Sequence, residues 1–307
     1  MTEIWHRLER VEPIRALGLE PERELPARVG FAARVRGKGV PYMLKAVASG
    51  PEADDDHEDG KDQLRAHSLA HEAQVLRALV PHGVDLYVAH GAGPSLTWVL
   101  SRWIEGEHAR ARSRRVLGQG CSQQARRRFL DLCVAVCGRV ETLGEHGFLH
   151  GDLQPNHFLV DGHDRVHLVD YELAVRIGDP EPAYAGALVH YVSPETARGM
   201  LQGSRTIPLD IASEVYSLGA VLFFLYTGQP PTDYGSARTL DERLEAIAAG
   251  NLCTFAEAGV PPFDELEAIV RRCLQPRPDD RWASFAEVCA VLTAAGDRLG
   301  VPRPGER

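Results

Sequence analysis

The sequence predicts an α+β fold, a strand-rich N-terminal part followed by a larger, mainly helical one. Three observations point that way. Short segments that read as strands, Val11–Leu17, Ala27–Val35 and Val40–Val47, crowd near the start of the chain. Helical periodicity follows: apolar residues at 69, 75, 76 and 79 share one helical face, and Phe129–Leu143 is a longer amphipathic stretch. Further on, two aspartates stand beside short apolar strands, Asp152 before Phe158-Leu159-Val160 and Asp170 after His167-Leu168-Val169. Carboxylates beside apolar strands are costly without a metal or hydrogen bonds, which makes both candidate functional groups. A chain of 307 residues is long enough for two lobes and a substantial core.

The strand Val40–Val47 carries Lys45 inside an apolar run, Tyr42-Met43-Leu44-Lys45-Ala46-Val47. From Ser49 to Asp62 the chain is rich in Asp and Glu and buries too little apolar surface to fold alone. This acidic insert, residues 49–62, is expected to be a mobile loop, either a solvated linker or a lure for a basic partner. Glu72 lies in the helical run that follows. Next comes a basic stretch, Arg110, Arg112, Arg114 and Arg115, then Arg126, Arg127 and Arg128. It reads as the solvated face of two short helices or as a hold for an acidic substrate segment. The helix Phe129–Leu143 is expected to end at Gly144, the chain from Asp264 to be mostly helical, and Val301–Arg307 to be a frayed tail.

The block His150-Gly151-Asp152-Leu153-Gln154-Pro155-Asn156-His157, followed by Asp170-Tyr171-Glu172, resembles the catalytic loop and metal-binding turn of the protein-kinase superfamily. Further matches come in family order. Lys45 and Glu72 resemble the strand lysine and its helix glutamate. Trp98–Gly106 is similar to the hinge. Tyr191-Val192-Ser193-Pro194-Glu195 resembles the end of an activation segment, and Ser213–Gly219 with Leu225–Gly228 the buried central helix. Cys273–Arg281 resembles the late loop whose arginine pairs with the Pro-Glu glutamate. Each match alone is weak, but six in order are not chance. The resemblance implies a bilobal protein-kinase-like fold, with a small antiparallel-sheet lobe over residues 1–105 and a large helical lobe over 106–307.

The same resemblance implies a set of roles. Lys45 neutralises the inner phosphates of ATP, and Glu72 holds it in place. Asp152 orients the acceptor hydroxyl, with Gln154 in the catalytic loop beside it. Ser101, Arg102 and Trp103 line the nucleotide from the hinge. Asp170 is the principal ligand of Mg²⁺ or Mn²⁺, with His157 and Glu172 within reach of a second ion; an imidazole ligand would favour Mn²⁺. Glu195 and Arg281 are expected to form a structural bridge.

Several positions depart from the family pattern. Between Gly18 and Gly30 the phosphate-covering segment holds Glu20, Glu22 and Glu24 with Pro21 and Pro26, where close backbone approach to phosphate calls for glycine. Gly151 replaces an arginine that reads a phosphorylated activation loop, so control by that route is not expected. Gln154 replaces a phosphate-contacting lysine and His157 a metal-binding asparagine. Glu172, in place of glycine, resembles the turn of choline-kinase-like enzymes and of lanthipeptide-synthetase kinase domains. His-Gly-Asp itself is common in phosphotransferases resembling aminoglycoside kinases.

The composition, 44% hydrophobic and 25% charged, is that of a soluble globular protein, and the net charge of −9 argues against a nucleic-acid partner. The longest apolar run, Ala220–Tyr226, is too short for a membrane span. The N-terminus does not read as a signal peptide, so a cytoplasmic protein with no membrane partner is expected. The scattered cysteines, Cys133 and Cys137 among them, read as small core residues in a reduced compartment. The function expected is ATP-dependent phosphotransfer to a Ser or Thr hydroxyl of a protein or peptide. The alternatives are a pseudokinase scaffold regulating a partner, favoured by the missing glycines and His157, and a small-molecule kinase, favoured by His-Gly-Asp and Glu172.

Overall fold

The structure is a computed structural model. It describes residues 6, 8, 14–26, 30–48, 59–93, 96–120, 122–178, 188–204, 207 and 209–302, with the backbone alone for 59–64. The chain divides into two compact units, Met1–Ile104 with Asp170–Glu172, and Glu105–Val169 with Leu173–Arg307. Glu105 thus belongs to the second unit and Asp170–Glu172 to the first.

The first unit is an antiparallel sheet of β1 (Glu20–Leu25), β2 (Phe31–Gly37), β3 (Val40–Ala48), β4 (Tyr87–Ala92) and β5 (Leu96–Arg102), in the order β1-β2-β3-β5-β4. Side chains alternate across a strand, so one face of β3 sends Leu44 and Ala46 into a core with Phe31, Ala33, Val35, Trp98 and Leu100. Lys45 falls between them and is carried on the other face. Two expectations are corrected at the start of the chain. Ile14–Leu17 is a helical turn (α1), not strand; residues 11–13 lie outside the described residues. The glutamate-rich segment is itself strand β1, in which Glu22 pairs with Arg34 at 2.9 Å and with Arg36. Glu22 thus serves cross-strand pairing with the basic residues of β2.

Helix α2 (Asp59–Leu79) packs on β3 and β5. Its first residues, Asp59–Asp62, fall within the acidic insert expected to be a loop; residues 49–58 lie outside the described residues. Leu69, Ala73 and Leu76 form its buried stripe, and Glu72 sits on that same stripe by the three-and-four spacing.

The second unit is mainly helical, with β6 (Gly106–His108), β7 (Phe148–Leu149), β8 (Phe158–Asp161), β9 (Val166–Leu168) and β10 (Val175–Arg176) as short strands. Its helices are α3 (Ala109–Leu117), α4 (Gln123–Glu145), α5 (Pro194–Leu201), α6 (Ile211–Thr227), α7 (Leu240–Ala249), α8 (Asp264–Cys273) and α9 (Phe285–Arg298). The expected stop at Gly144 is corrected: α4 runs through it, because the ring of Phe285 packs where a side chain would stand, 2.9 Å from an added Cβ. Arg127, read as part of a solvated face, is buried and donates to the Gly296 carbonyl at 2.9 Å. Cys133 and Cys137 are buried free thiols on α4. Among the described residues no helix is long and apolar enough to cross a membrane.

Helix α6 is buried along most of its length and begins at a capping box between Asp210 and Ser213. Arg281 is fastened beside it. Its guanidinium grips both oxygens of Glu195, at 2.6 and 2.8 Å, and donates to the carbonyls of Ala212 and Gln275, each at 2.8 Å. The Arg281 side chain has no exposed surface, and its charge holds Glu195 below the usual carboxylate range despite partial burial. Removing one member of a buried pair strands the other, at a cost of about 3–5 kcal/mol. Arg281→Ala is therefore expected to lower unfolding free energy by about that amount in urea titrations, while nucleotide affinity measured on the folded fraction changes far less.

Candidate active site

In the first unit the sheet and α2 bring three charged side chains together. Lys45 Nζ lies 3.0 and 2.9 Å from the two oxygens of Glu72 and 2.6 Å from Asp170 Oδ1. Burial works against the ammonium charge, but the attraction of Glu72 and then Asp170 outweighs it and raises the Lys45 pKa above that of an ordinary lysine. A fixed cation flanked by two carboxylates is equipped to meet an anionic group. Asp170 itself adopts φ 72°, a left-handed conformation uncommon for a residue with a side chain.

The remaining first-unit candidates are placed as follows. Ser101 and Arg102 are the last residues of β5. The Arg102 amide donates to the Leu86 carbonyl at 2.8 Å, and the Trp103 amide to the Pro41 carbonyl at 3.4 Å. Both backbone donors are thus engaged within the unit, and the Trp103 ring lies under the Arg34 guanidinium. Glu172 follows Asp170 by two residues.

In the second unit the loop after β7 brings Asp152, Gln154 and His157 together. Gln154 donates to Asp152 Oδ2 at 3.0 Å, and the amide of Leu188 donates to Asp152 Oδ1 at 3.1 Å. His157 Nδ1 donates across the loop to the Asp152 carbonyl at 2.9 Å. Among the described residues no three of His, Cys, Asp and Glu come together as a metal cage.

Beneath the loop, His150 donates from Nε2 to the Val169 carbonyl at 3.1 Å and accepts the Asp152 amide on Nδ1 at 3.3 Å, which fixes its tautomer. Gly151 has φ +76°, and an added Cβ would stand 2.3 Å from the Leu173 carbonyl. Only glycine fits this turn without strain.

Two participants escaped the sequence reading. The Leu188 amide has no side-chain signature and was not findable. Glu214 was: a carboxylate inside the otherwise apolar run of α6 is a signal in itself. It accepts the amides of His150, at 2.5 Å, and Gly151, at 3.3 Å. Burial pushes its pKa up to about 7, outweighing the two amides. Between the unfolded pKa near 4.5 and the folded value near 7, the folded chain binds a proton that the unfolded chain has released. Stability from this group is therefore complete below the lower value and lost as pH rises through the upper one. Unfolding free energy is expected to fall by about 3 kcal/mol between pH 4.5 and 8 through Glu214. Urea titrations across that range should show Glu214→Gln removing this component.

Comparison with known proteins gives consistent matches. The protein kinase domain family model matches residues 36–291. The serine/threonine-protein kinase PknB of Mycolicibacterium smegmatis is 29% identical over 180 residues, 55% of this chain and 26% of that protein. A probable serine/threonine-protein kinase of Clostridium acetobutylicum is 23% identical over 176 residues, 54% of this chain and 24% of that protein. PknB of Mycobacterium leprae is 26% identical over 174 residues, 53% of this chain and 25% of that protein. Each alignment thus spans about a quarter of the relative's length.

Proposed function

This chain belongs to the protein kinase domain family, and on that premise we propose that it transfers the γ-phosphate of ATP to a Ser or Thr hydroxyl of a protein or peptide. The observation that carries the reading is Lys45, held by Glu72 and Asp170. In phosphoryl transfer the protein supplies position and charge rather than covalent chemistry. Lys45 pairs with phosphate oxygens, and Glu72 keeps its ammonium from turning away. Asp152 accepts the hydrogen of the acceptor hydroxyl and aims its oxygen, its own carboxylate oriented by Gln154 and the Leu188 amide.

Asp170 offers the hard oxygen ligands that Mg²⁺ prefers. Mg²⁺ ordinarily takes one or two carboxylates and completes its shell with phosphate and water. When bound, such an ion neutralises charge on the phosphate oxygens. A second reading, a scaffold without transfer, is favoured by β1, whose glutamates stand where phosphate-binding glycines would otherwise be.

Thermal shift and radiolabel transfer test the proposal together. ATP with Mg²⁺ should raise the melting temperature, because ligand binding to the native state alone stabilises it. Lys45→Met and Asp170→Asn should remove that shift. Asp152→Asn should keep it while lowering transfer to a protein substrate about 100-fold or more. Absence of both a metal-dependent shift and transfer would leave the scaffold reading in its place.

A further inference from the structure

Three of the seven arginines of the basic stretch are neutralised within the fold. Arg112 pairs with Glu107 and Asp164, Arg115 with Glu107, and Arg127 with Asp131. Arg110, like Arg126, is stacked on a ring instead. Its guanidinium lies over the Phe224 ring, 5.2 Å from the centroid, and its Nε is buried with no hydrogen-bond partner. Among the described residues no carboxylate pairs with it. In a chain with a net charge of −9, a partly buried and unneutralised guanidinium is a group awaiting an anion.

Its surroundings lead to the candidate catalytic loop. Phe224 contacts Tyr191 edge-on, with centroids 6.1 Å apart. Tyr191 feels the charges of both Arg110 and Asp152, so the two groups act on one ring. Next to Tyr191, His190 contacts the Tyr234 hydroxyl at 2.8 Å, and the Tyr234 ring lies 6.0 Å from a second guanidinium, Arg243. Arg243 also has no carboxylate partner among the described residues. Two unneutralised arginines, each against an aromatic ring, therefore bracket the segment Leu188–Tyr191. The first residue of that segment donates its amide to Asp152 and presents an apolar side chain to solvent, 41% exposed.

We propose that this strip binds acidic peptide, Arg110 and Arg243 each taking a carboxylate that flanks the acceptor hydroxyl at Asp152. The proposal rests on the kinase reading for the role of Asp152. The chemistry is that of the guanidinium fork, which binds carboxylates through paired, charge-assisted hydrogen bonds. Stacking on a ring orients the fork before the ligand arrives. An apolar side chain beside the acceptor finds Leu188.

The test uses the full chain with ATP and Mg²⁺ and three Ser-containing peptides that differ only in bearing Glu, Ala or Lys on both sides of the serine. Binding of a fluorescent Glu peptide is followed in parallel by anisotropy without ATP. The Glu peptide should exceed the Lys peptide about tenfold in kcat/KM, the scale of one charge-assisted contact. Arg110→Glu should reverse the order, and Arg110→Lys should retain part of it. Arg243→Glu gives an independent reading should the Arg110 variants fail to fold, as judged by their melting curves. Equal turnover of all peptides by parent and variants would overturn the acidic preference and leave the kinase reading standing. Arginine-dependent binding of the Glu peptide with no turnover would support the surface and overturn the kinase reading. Neither turnover nor binding would overturn both.

Discussion

A carboxylate cut off from water must be answered by the groups around it, and much of the second unit is arranged around one such carboxylate. Glu214 rises from α6 into the turn that carries Asp152, and the amides of His150 and Gly151 answer it. Those amides are in a loop and have no strand or helix partner, so the same contact satisfies both sides. The direction of Asp152 is thereby referred to the most deeply buried helix of the unit. Arg281 uses that helix too, through the Ala212 carbonyl, and ties to it the segment that ends at Glu195. A third attachment is the Ser113 hydroxyl, which bonds the Leu225 carbonyl near the other end of α6. Reactive and structural polar groups thus share one apolar rod as their origin.

The first unit solves a related problem by different means. Lys45 is placed by strand alternation and Glu72 by helical spacing, two periodicities that meet where α2 crosses the sheet. The cation is held by covalent geometry on one side and by charge on the other. Neighbouring Leu44 and Ala46 are committed to the core, so a shift of register by one residue would bury the ammonium in apolar packing and expose the core face. The charge is fixed by the sheet as firmly as the core is.

What could be read beforehand follows from this. Lys45, Glu72, Asp152 and Asp170 stood out as charged residues in an apolar or turn context, where a charge demands a partner, whereas Glu195 and Arg281 were placed by the order of the kinase-like motifs. Three kinds of feature were not legible. The Leu188 amide belongs to the backbone, and the sequence does not mark which amide will reach a carboxylate. The strand β1 alternates poorly and is exposed, so its charges read as loop until the pairing of Glu22 with Arg34 and Arg36 gave them a purpose. Gly144 looked like a helix stop because its reason, the ring of Phe285, lies far along the chain. The bond of His157 to a carbonyl five residues earlier is likewise a matter of loop shape that the sequence does not mark.

Gly151 carries a consequence for how this chain can change. A single base change turns a glycine codon into an arginine codon, so the residue that the kinase resemblance leads one to expect here is one mutational step away. The obstacle is the peptide chain itself, which turns left-handed at this point and brings the Leu173 carbonyl to where the first side-chain carbon would be. To accept arginine, the turn and that carbonyl would have to move, and with them the amides that answer Glu214. An arginine at this position is open in the genetic code and opposed by the backbone, so a lineage could gain one only together with a change in the turn around it.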